Sequence, residues 1–112
     1  MAIFAIYLFC RMKRSKITES IINALNALPF YTETWLYGSE ARGNAQADSD
    51  IDLLILVDSV NPETENDIFK ALYPIELSTG ILINPLVVAK SQWGSTISPF
   101  YLNVTNERVR LR

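Results

Sequence analysis

Histidine is absent from this chain of 112 residues, and cysteine occurs once, as Cys10. Without histidine the chain has no Ser-His-Asp triad, no histidine general base and no histidine-ligated metal. A single cysteine forms no disulfide within the chain and is typical of a reducing compartment, so we expect the chain in the cytoplasm. Any catalysis must therefore depend on carboxylates and on a metal ion that prefers oxygen ligands.

An excess of positive charge is also missing. The chain has 10 Lys and Arg against 12 Asp and Glu, which gives a formal net charge of -2. It has no basic stripe, no RNA-binding aromatic motif and no zinc knuckle, so direct nucleic-acid binding is not expected. Hydrophobic residues make up 49% of the chain, which is typical of one globular domain with a modest core.

An apolar run at the N-terminus covers residues 2–10 and is followed by several basic residues. The run is too short for a transmembrane helix, and in a signal peptide the basic residues would precede it. We predict no transmembrane segment. We interpret residues 1–11 as an extension from a misassigned start, and residues 12–112 as the domain. An extra strand and a weak membrane-surface anchor are the alternatives for the extension.

The spacing of apolar residues and the positions of capping residues predict alternating helices and strands. The predicted helices cover residues 17–28, 39–45, 62–78 and 99–106. The predicted strands cover residues 32–37, 51–58 and 81–89, and residues 109–112 form either a tail strand or a frayed end. This order predicts an α/β (α+β) fold, with a small mixed β-sheet and helices packed on one face.

Two prolines modify this pattern. Pro74 lies inside the predicted helix of residues 62–78 and is expected to kink or break it near Tyr73. Pro85 lacks an amide donor, so the strand of residues 81–89 is expected at an edge of the sheet, or with a bulge at this residue.

The most informative segment is residues 38–52, which reads GSEARGNAQADSDID. Asp50 and Asp52 are two residues apart and precede an apolar run, so on a strand they point to the same face, about 7 Å apart. Two ionised carboxylates at this separation repel each other unless a cation lies between them. Mg²⁺ is the expected cation, because it binds one or two carboxylates together with phosphate oxygens.

The Gly38-Ser39 pair completes the pattern. Gly38 permits a tight turn, and Ser39 is expected to cap a short helix whose free amides bind an anion. We therefore expect a triphosphate at the Ser39 end of this helix and its metal on the two aspartates. Arg42 is expected either to reach the phosphates or to form an ion pair with Asp48 or Asp50.

This segment resembles the signature of the minimal nucleotidyltransferase (MNT) family, within the DNA polymerase beta-type nucleotidyltransferase superfamily. The family pattern is Gly-Ser, ten residues and Asp-x-Asp, with an Ala-Arg-Gly element, and the matching residues are Gly38, Ser39, Ala41, Arg42, Gly43, Asp50 and Asp52. The resemblance covers roughly residues 15–110 and implies the nucleotidyltransferase fold. It also implies roles for these residues. Asp50 and Asp52 would hold Mg²⁺ and be catalytic, and a nucleoside triphosphate, with ATP expected, would bind Gly38, Ser39, Arg42 and Gly43.

One residue that the resemblance implies is missing. Members of the superfamily usually have a third carboxylate on a strand beside the Asp-x-Asp strand. The corresponding strand, residues 81–89, contains no Asp or Glu, and its only polar residue is Asn84. We take Asn84 as the third-acid position. An asparagine offers a neutral oxygen to a metal but is no base, so the sequence supports nucleotide binding more strongly than catalysis.

The resemblance implies a choice between two functions. The first is Mg-dependent transfer of a nucleoside monophosphate, with AMP expected, to a partner protein. This would resemble the antitoxin of a HEPN/MNT toxin–antitoxin pair, whose partner is a HEPN-type helical protein. The alternative is a catalytically degenerate MNT protein that neutralises its partner by binding alone. A small-molecule transferase similar to aminoglycoside-modifying enzymes has less support, because those enzymes carry a further substrate-binding domain. The sequence leaves oligomer formation open.

Overall fold

A computed structural model describes residues 2–43, 45–46 and 49–111, with residues 2–13 described by their backbone alone. Four helices and four strands follow one another in this part of the chain. The helices are α1 (Ala2–Asn26), α2 (Ser39–Arg42), α3 (Pro62–Thr79) and α4 (Pro99–Glu107). The strands are β1 (Glu33–Tyr37), β2 (Ile51–Val57), β3 (Ile83–Ala89) and β4 (Val109–Arg110).

The strands form one sheet in the order β3-β2-β1-β4. β1 pairs antiparallel with both β2 and β4, and β2 pairs parallel with β3. The predicted mixed sheet is therefore confirmed. β3 lies at an edge, as Pro85 predicts, because a residue without an amide donor is tolerated where one side of the strand has no partner. Residues 109 and 110 form a strand rather than a frayed end.

The main core lies between one face of the sheet and helices α1 and α3. Its buried residues are Ile17, Ile21, Leu25, Leu36, Ile51, Leu53, Ile55, Val57, Ile68, Leu72, Ile81 and Ile83. The three residues from α1 recur every four positions, so they lie on one stripe of the helix and face the sheet. The predicted amphipathic helix therefore covers the sheet as expected.

α1 and α3 pack on one face of the sheet, as predicted, and α4 also partly covers the opposite face. Val104 of α4 forms a second buried cluster with Leu54 and Leu56 of β2. These two leucines alternate with the residues of β2 that face α1 and α3, because successive side chains of a strand point to opposite faces. β2 is apolar on both sides, which permits cover on both sides.

Two predictions about helices are corrected, one on the start of α1 and one on the continuity of α3. α1 begins at Ala2, so residues 2–11 are helical and the extra-strand alternative is wrong. The physical reason is that α1 contains neither Gly nor Pro, so nothing in it stops the helix before Asn26. α3 continues through Pro74, so the expected break is wrong, while the expected kink stays a prediction. Ile68 and Ile75 pack in the core on either side of this proline, and we infer that this packing outweighs the single hydrogen bond that a proline removes.

The interpretation of residues 1–11 as a misassigned start stays a prediction. No helix in the described part of the chain is both long and apolar enough to cross a membrane.

Ile55 offers a test of the core. Its side chain is fully buried in β2, so Ile55→Ala should lower the free energy of unfolding by about 2–5 kcal/mol, through lost apolar burial and a cavity. Urea denaturation at constant pH measures this loss. The matched control is Ile97→Ala, whose side chain is 72% exposed and whose loss should change stability by no more than about 0.5 kcal/mol. Equal effects of the two variants would contradict the described core.

Candidate functional site

Asp50, Asp52 and Asn84 lie close together at the end of the sheet where strand β2 begins. Asp52 and Asn84 are register partners on the parallel strands β2 and β3. The Asn84 side-chain amide donates to Asp50 Oδ2 at 3.3 Å and to Asp52 Oδ1 at 3.2 Å. A single nitrogen thus contacts both carboxylates, so the two aspartates and the third-acid position share one small site. Asp50 is exposed and Asp52 is half-buried.

Gly38 lies directly against Asp52. It follows Tyr37, whose register partner across the antiparallel β1–β2 pair is Asp52. The backbone angles of Gly38 are φ 72° and ψ -151°, in a region that only glycine adopts readily. A Cβ at this position would lie 2.5 Å from Asp52 Oδ2, closer than two such atoms approach. Glycine is therefore needed here for its backbone angles and for the space that Asp52 occupies.

The helix after Gly38 differs from the prediction at both ends. Gly38, rather than Ser39, is the N-cap residue, and it makes no side-chain capping hydrogen bond. Ser39 is the first residue of α2. The helix ends at Arg42 instead of continuing to about Ala45, because Gly43 adopts the left-handed conformation with φ 75° and donates its N–H to the Glu40 carbonyl. Gly38, Ser39, Arg42 and Gly43 therefore form a single compact turn.

Glu107, at the end of α4, is a member of the site that the sequence did not reveal. The Gly38 N–H donates to Glu107 Oε1 at 2.9 Å, and Arg42 Nη1 donates to Glu107 Oε2 at 3.0 Å. The predicted ion pair between Arg42 and Asp50 is replaced by this one, and Asp48 lies outside the described residues. No local pattern in the sequence marks Glu107, because it is 69 positions from Gly38.

Two pKa shifts report the electrostatics of the site. The Gly38 N–H has the largest effect on the pKa of Glu107 and lowers it; burial opposes this, and the Arg42 guanidinium lowers the pKa further. Burial raises the pKa of the Tyr37 hydroxyl, and the carboxylates of Asp52 and Glu107 raise it further. Tyr37 thus stays neutral at physiological pH and experiences a negative electrostatic environment, which favours a cation.

The donor set suits a magnesium ion that shares its coordination with a substrate. The described residues contain no group of three or more His, Cys, Asp or Glu that could hold a metal by themselves. Asp50 and Asp52 supply two carboxylates, and the Asn84 side chain, which already contacts both, can turn its oxygen toward the same point. Mg²⁺ is commonly held by one or two carboxylates with phosphate oxygens and water completing the octahedron. The residues present therefore fit a magnesium–nucleotide complex.

Comparison with known proteins now assigns the family. The family model described as nucleotidyltransferase domain matches residues 18–100. This chain belongs to the nucleotidyltransferase domain family. No curated protein matches the chain. The matched span of this nucleotidyltransferase domain includes the Gly38 turn, both aspartates and Asn84, but neither Arg14 nor Glu107.

Solved structures share the fold of the nucleotidyltransferase domain. A predicted nucleotidyltransferase from Sulfolobus solfataricus superposes with a TM-score of 0.58 at 16% identity, over 93% of this chain and 84% of that chain. A toxin–antitoxin crystallised with AMP-PNP gives a TM-score of 0.61 at 18% identity, over 85% of this chain and 72% of that chain. A mutant of the toxin–antitoxin MntA-HpeT gives 0.57 at 18% identity, over 84% and 70% of the two chains. At these identities the likeness shows the fold alone.

The contact of Glu107 predicts a dependence of stability on pH. The folded pKa of Glu107 lies below its ordinary value of 4.5, so the contact stabilises the protein above this pH and is lost as the pH falls through the folded pKa. Glu107→Gln should therefore destabilise the domain by about 1 kcal/mol at pH 7. Urea denaturation should show the difference between the two proteins shrinking below about pH 4.5. A difference independent of pH would contradict the ionised contact.

Proposed function

We propose that this domain transfers a nucleoside monophosphate, with AMP as the expected group, from an Mg²⁺-bound nucleoside triphosphate to a hydroxyl group of a partner protein. The observation that carries the proposal is the contact of one Asn84 nitrogen with both Asp50 and Asp52, beside the Gly38 turn. Two carboxylates at the start of a strand, next to a turn whose Gly38 amide already binds a carboxylate, suit a metal-bound triphosphate.

Asp50 and Asp52 are the proposed magnesium ligands, with the Asn84 side-chain oxygen as a further neutral ligand. When bound, Mg²⁺ neutralises phosphate charge and polarises the phosphoryl group. The closeness of the two carboxylates, both within reach of one Asn84 nitrogen, supports this assignment, because adjacent carboxylates without a cation repel each other. Asn84 also has a second proposed role. By donating to both carboxylates, it holds the two side chains together before the metal arrives.

Ser39 and the amides of the Gly38 turn are the proposed ligands of the outer phosphates, together with Arg42. Glu107 already accepts from the Gly38 N–H and from Arg42. Phosphate oxygens that use these two donors must therefore displace the Glu107 carboxylate, and the contact of these donors with a carboxylate supports the proposal that they bind a phosphate.

The chemistry proposed is an in-line displacement at the α-phosphorus. The acceptor oxygen forms the new bond to phosphorus, the bond to the leaving pyrophosphate breaks, and the acceptor proton passes to solvent. Asn84 cannot take this proton, because an amide is no base at neutral pH. The residues of the chain contribute positioning and charge neutralisation, which supply most of the catalysis in phosphoryl-type transfer.

Two features support a protein as the acceptor. Two of the similar solved structures are toxin–antitoxins, one of them with AMP-PNP, and a HEPN-type partner is the form that the resemblance of the motif favours. Large apolar side chains are also exposed along one side of α3, at Phe69, Tyr73 and Leu77, where they are 48%, 58% and 68% accessible. An exposed apolar stripe of this kind is typical of a protein interaction surface.

Asn84 also favours a second candidate, a domain that binds and neutralises its partner without transfer. It places a neutral side chain at the position where related enzymes have an acid, and two carboxylates give less negative charge than two-metal chemistry uses. On this alternative the nucleotide and the partner still bind, but no group is transferred.

The test is intact mass spectrometry of the protein encoded beside this one, co-expressed with the domain and incubated with Mg-ATP. We expect a gain of one nucleotidyl group on that protein. The Asp50→Ala/Asp52→Ala variant is the control and should give no gain. A stable complex without any mass gain would overturn transfer and favour the neutralising domain.

A further inference from the structure

Arg14 connects helix α1 to α2 and to the main chain shortly before Asp50. Its side chain is buried, with 4% accessibility. Arg14 Nε donates to Glu40 Oε2 in α2 at 2.5 Å. Its two other nitrogens donate to main-chain carbonyls, Nη1 to Gln46 at 3.0 Å and Nη2 to Ser49 at 2.8 Å. The guanidinium thus contacts α2 and the main chain of Gln46 and Ser49 at once.

Ser49 lies immediately before Asp50 in the chain. Ser49 is further ordered by a turn, in which its N–H donates to the Gln46 carbonyl and its hydroxyl accepts from the Gln46 N–H. Arg14 stabilises this turn by donating to the main-chain carbonyls of Gln46 and Ser49. Since Asp50 is exposed and precedes the first residue of β2, the sheet holds it less firmly than Asp52. Its position depends on the chain that leads to it.

We propose that Arg14 is a positioning residue, which sets the place of Asp50 as a magnesium ligand by anchoring the main chain of Gln46 and Ser49 to α1 and α2. This inference rests on the proposed function of Asp50 and Asp52. The inference adds Arg14 to the site, although Arg14 lies before residues 18–100, which match the family. Arg14 contacts neither metal nor substrate and acts through the main chain of Ser49.

The geometry explains why the residue is an arginine. A planar guanidinium presents its donors in a fixed fork, so it reaches one carboxylate and two carbonyls in different directions. A lysine ammonium at the same site keeps the charge but places all its donors on one atom. A buried cation that loses acceptors is also costly, so the arrangement favours one position of the turn.

Binding of Mn²⁺ with AMP-PNP, followed by electron paramagnetic resonance of Mn²⁺ and by calorimetry, tests the inference without requiring turnover. Arg14→Lys should weaken this binding by about 10- to 100-fold, as is typical for the loss of an outer-shell partner of a metal site. Glu40→Gln leaves Arg14 and its two carbonyl contacts in place and should weaken binding by a smaller factor. This second variant keeps the inference testable if Arg14→Lys does not fold.

The matched control is Ile21→Ala, in the same helix and fully buried, whose apolar side chain has no donor for the Gln46 and Ser49 carbonyls. All variants are measured where circular dichroism shows them folded. We expect Ile21→Ala to lower the thermal midpoint and to leave the Mn²⁺ affinity within about twofold. Equal weakening by Ile21→Ala and Arg14→Lys would show a general loss of stability and overturn the inference, as would an unchanged affinity in folded Arg14→Lys and Glu40→Gln.

The same measurement separates this inference from the proposed function. If the wild-type domain binds no Mn²⁺–AMP-PNP, the proposed metal site fails and the inference fails with it. If the wild type binds and the Arg14 and Glu40 variants bind equally well, only the inference fails.

Discussion

Asp52→Asn is expected to lower nucleotidyl transfer by on the order of 10³-fold, because it removes a charge from the pair of carboxylates that would neutralise the substrate phosphates. The side chain keeps its size, and its neighbours Asn84 and Gly38 keep their places, so the fold should survive. The loss should appear in the turnover number and in the Mg²⁺ concentration that gives half-maximal rate. Steady-state transfer to the partner, measured over a range of Mg²⁺ concentrations, shows both effects.

The chain offers a matched control for this variant. Asp58 is exposed and directly follows the other end of β2, so Asp58→Asn removes the same charge from the same part of the sequence, away from the site. We expect transfer by Asp58→Asn to equal that of the wild type. If Asp52→Asn retained wild-type transfer and wild-type Mg²⁺ dependence, the assignment of this strand end as the metal site would be wrong.

Gly38→Ala should have the second largest effect on the rate of nucleotidyl transfer. Its methyl group would lie 2.5 Å from Asp52 Oδ2, so either the turn or the carboxylate must move. The backbone angles at this position, φ 72° and ψ -151°, also cost a residue with a Cβ about 1–3 kcal/mol. Since a displacement of about 1 Å at a catalytic group can cost on the order of 10²-fold in rate, we expect a loss of this size. Transfer rates and urea denaturation separate the two effects.

Gly80→Ala is the control for backbone strain. Gly80 has φ 70° at the end of α3, and a Cβ there would meet nothing within 4 Å. This variant should lose about 1–2 kcal/mol of stability through the left-handed conformation and should keep its transfer rate. Should Gly38→Ala lose stability alone, with the same turnover as Gly80→Ala, the close approach of Gly38 to Asp52 would have no part in the chemistry.

Local signals in the sequence were sufficient for most elements. Asn61 accepts from the Thr64 N–H at the start of α3, Gly80 ends this helix in the left-handed conformation, and Ser98 caps α4. Each of these contacts joins residues a few positions apart, so residue type and spacing reveal them. The same holds for the two aspartates: Asp52 lies in β2 and Asp50 directly precedes this strand, and their spacing of two predicts that they lie on one side, where both contact Asn84. Local signals failed at α2, where Gly38 takes the capping position that Ser39 was expected to fill.

The contacts between elements that are distant in the sequence depend on tertiary packing. Nothing near Pro74 in the chain indicates that core contacts on both sides of it keep α3 continuous, and nothing near Val104 indicates which face of the sheet it covers. The contacts of Arg14 with Ser49 and of Glu107 with Gly38 join residues 35 and 69 positions apart. Such contacts depend on how whole elements pack, and no periodicity or short motif encodes them.

The candidate site was likewise predicted in part from the sequence and determined in part by the tertiary structure. Residue types and spacing were enough to predict a phosphate and metal motif, because the requirement for glycine at a close turn and for paired carboxylates beside it is local chemistry. The arrangement around the motif came from the tertiary structure. The sheet register aligned Asn84 with Asp52, α4 brought Glu107 to the Gly38 amide, and α1 brought Arg14 to the turn before Asp50. A buried or charged side chain finds such partners only after distant elements pack, since burial makes each unpaired polar group costly.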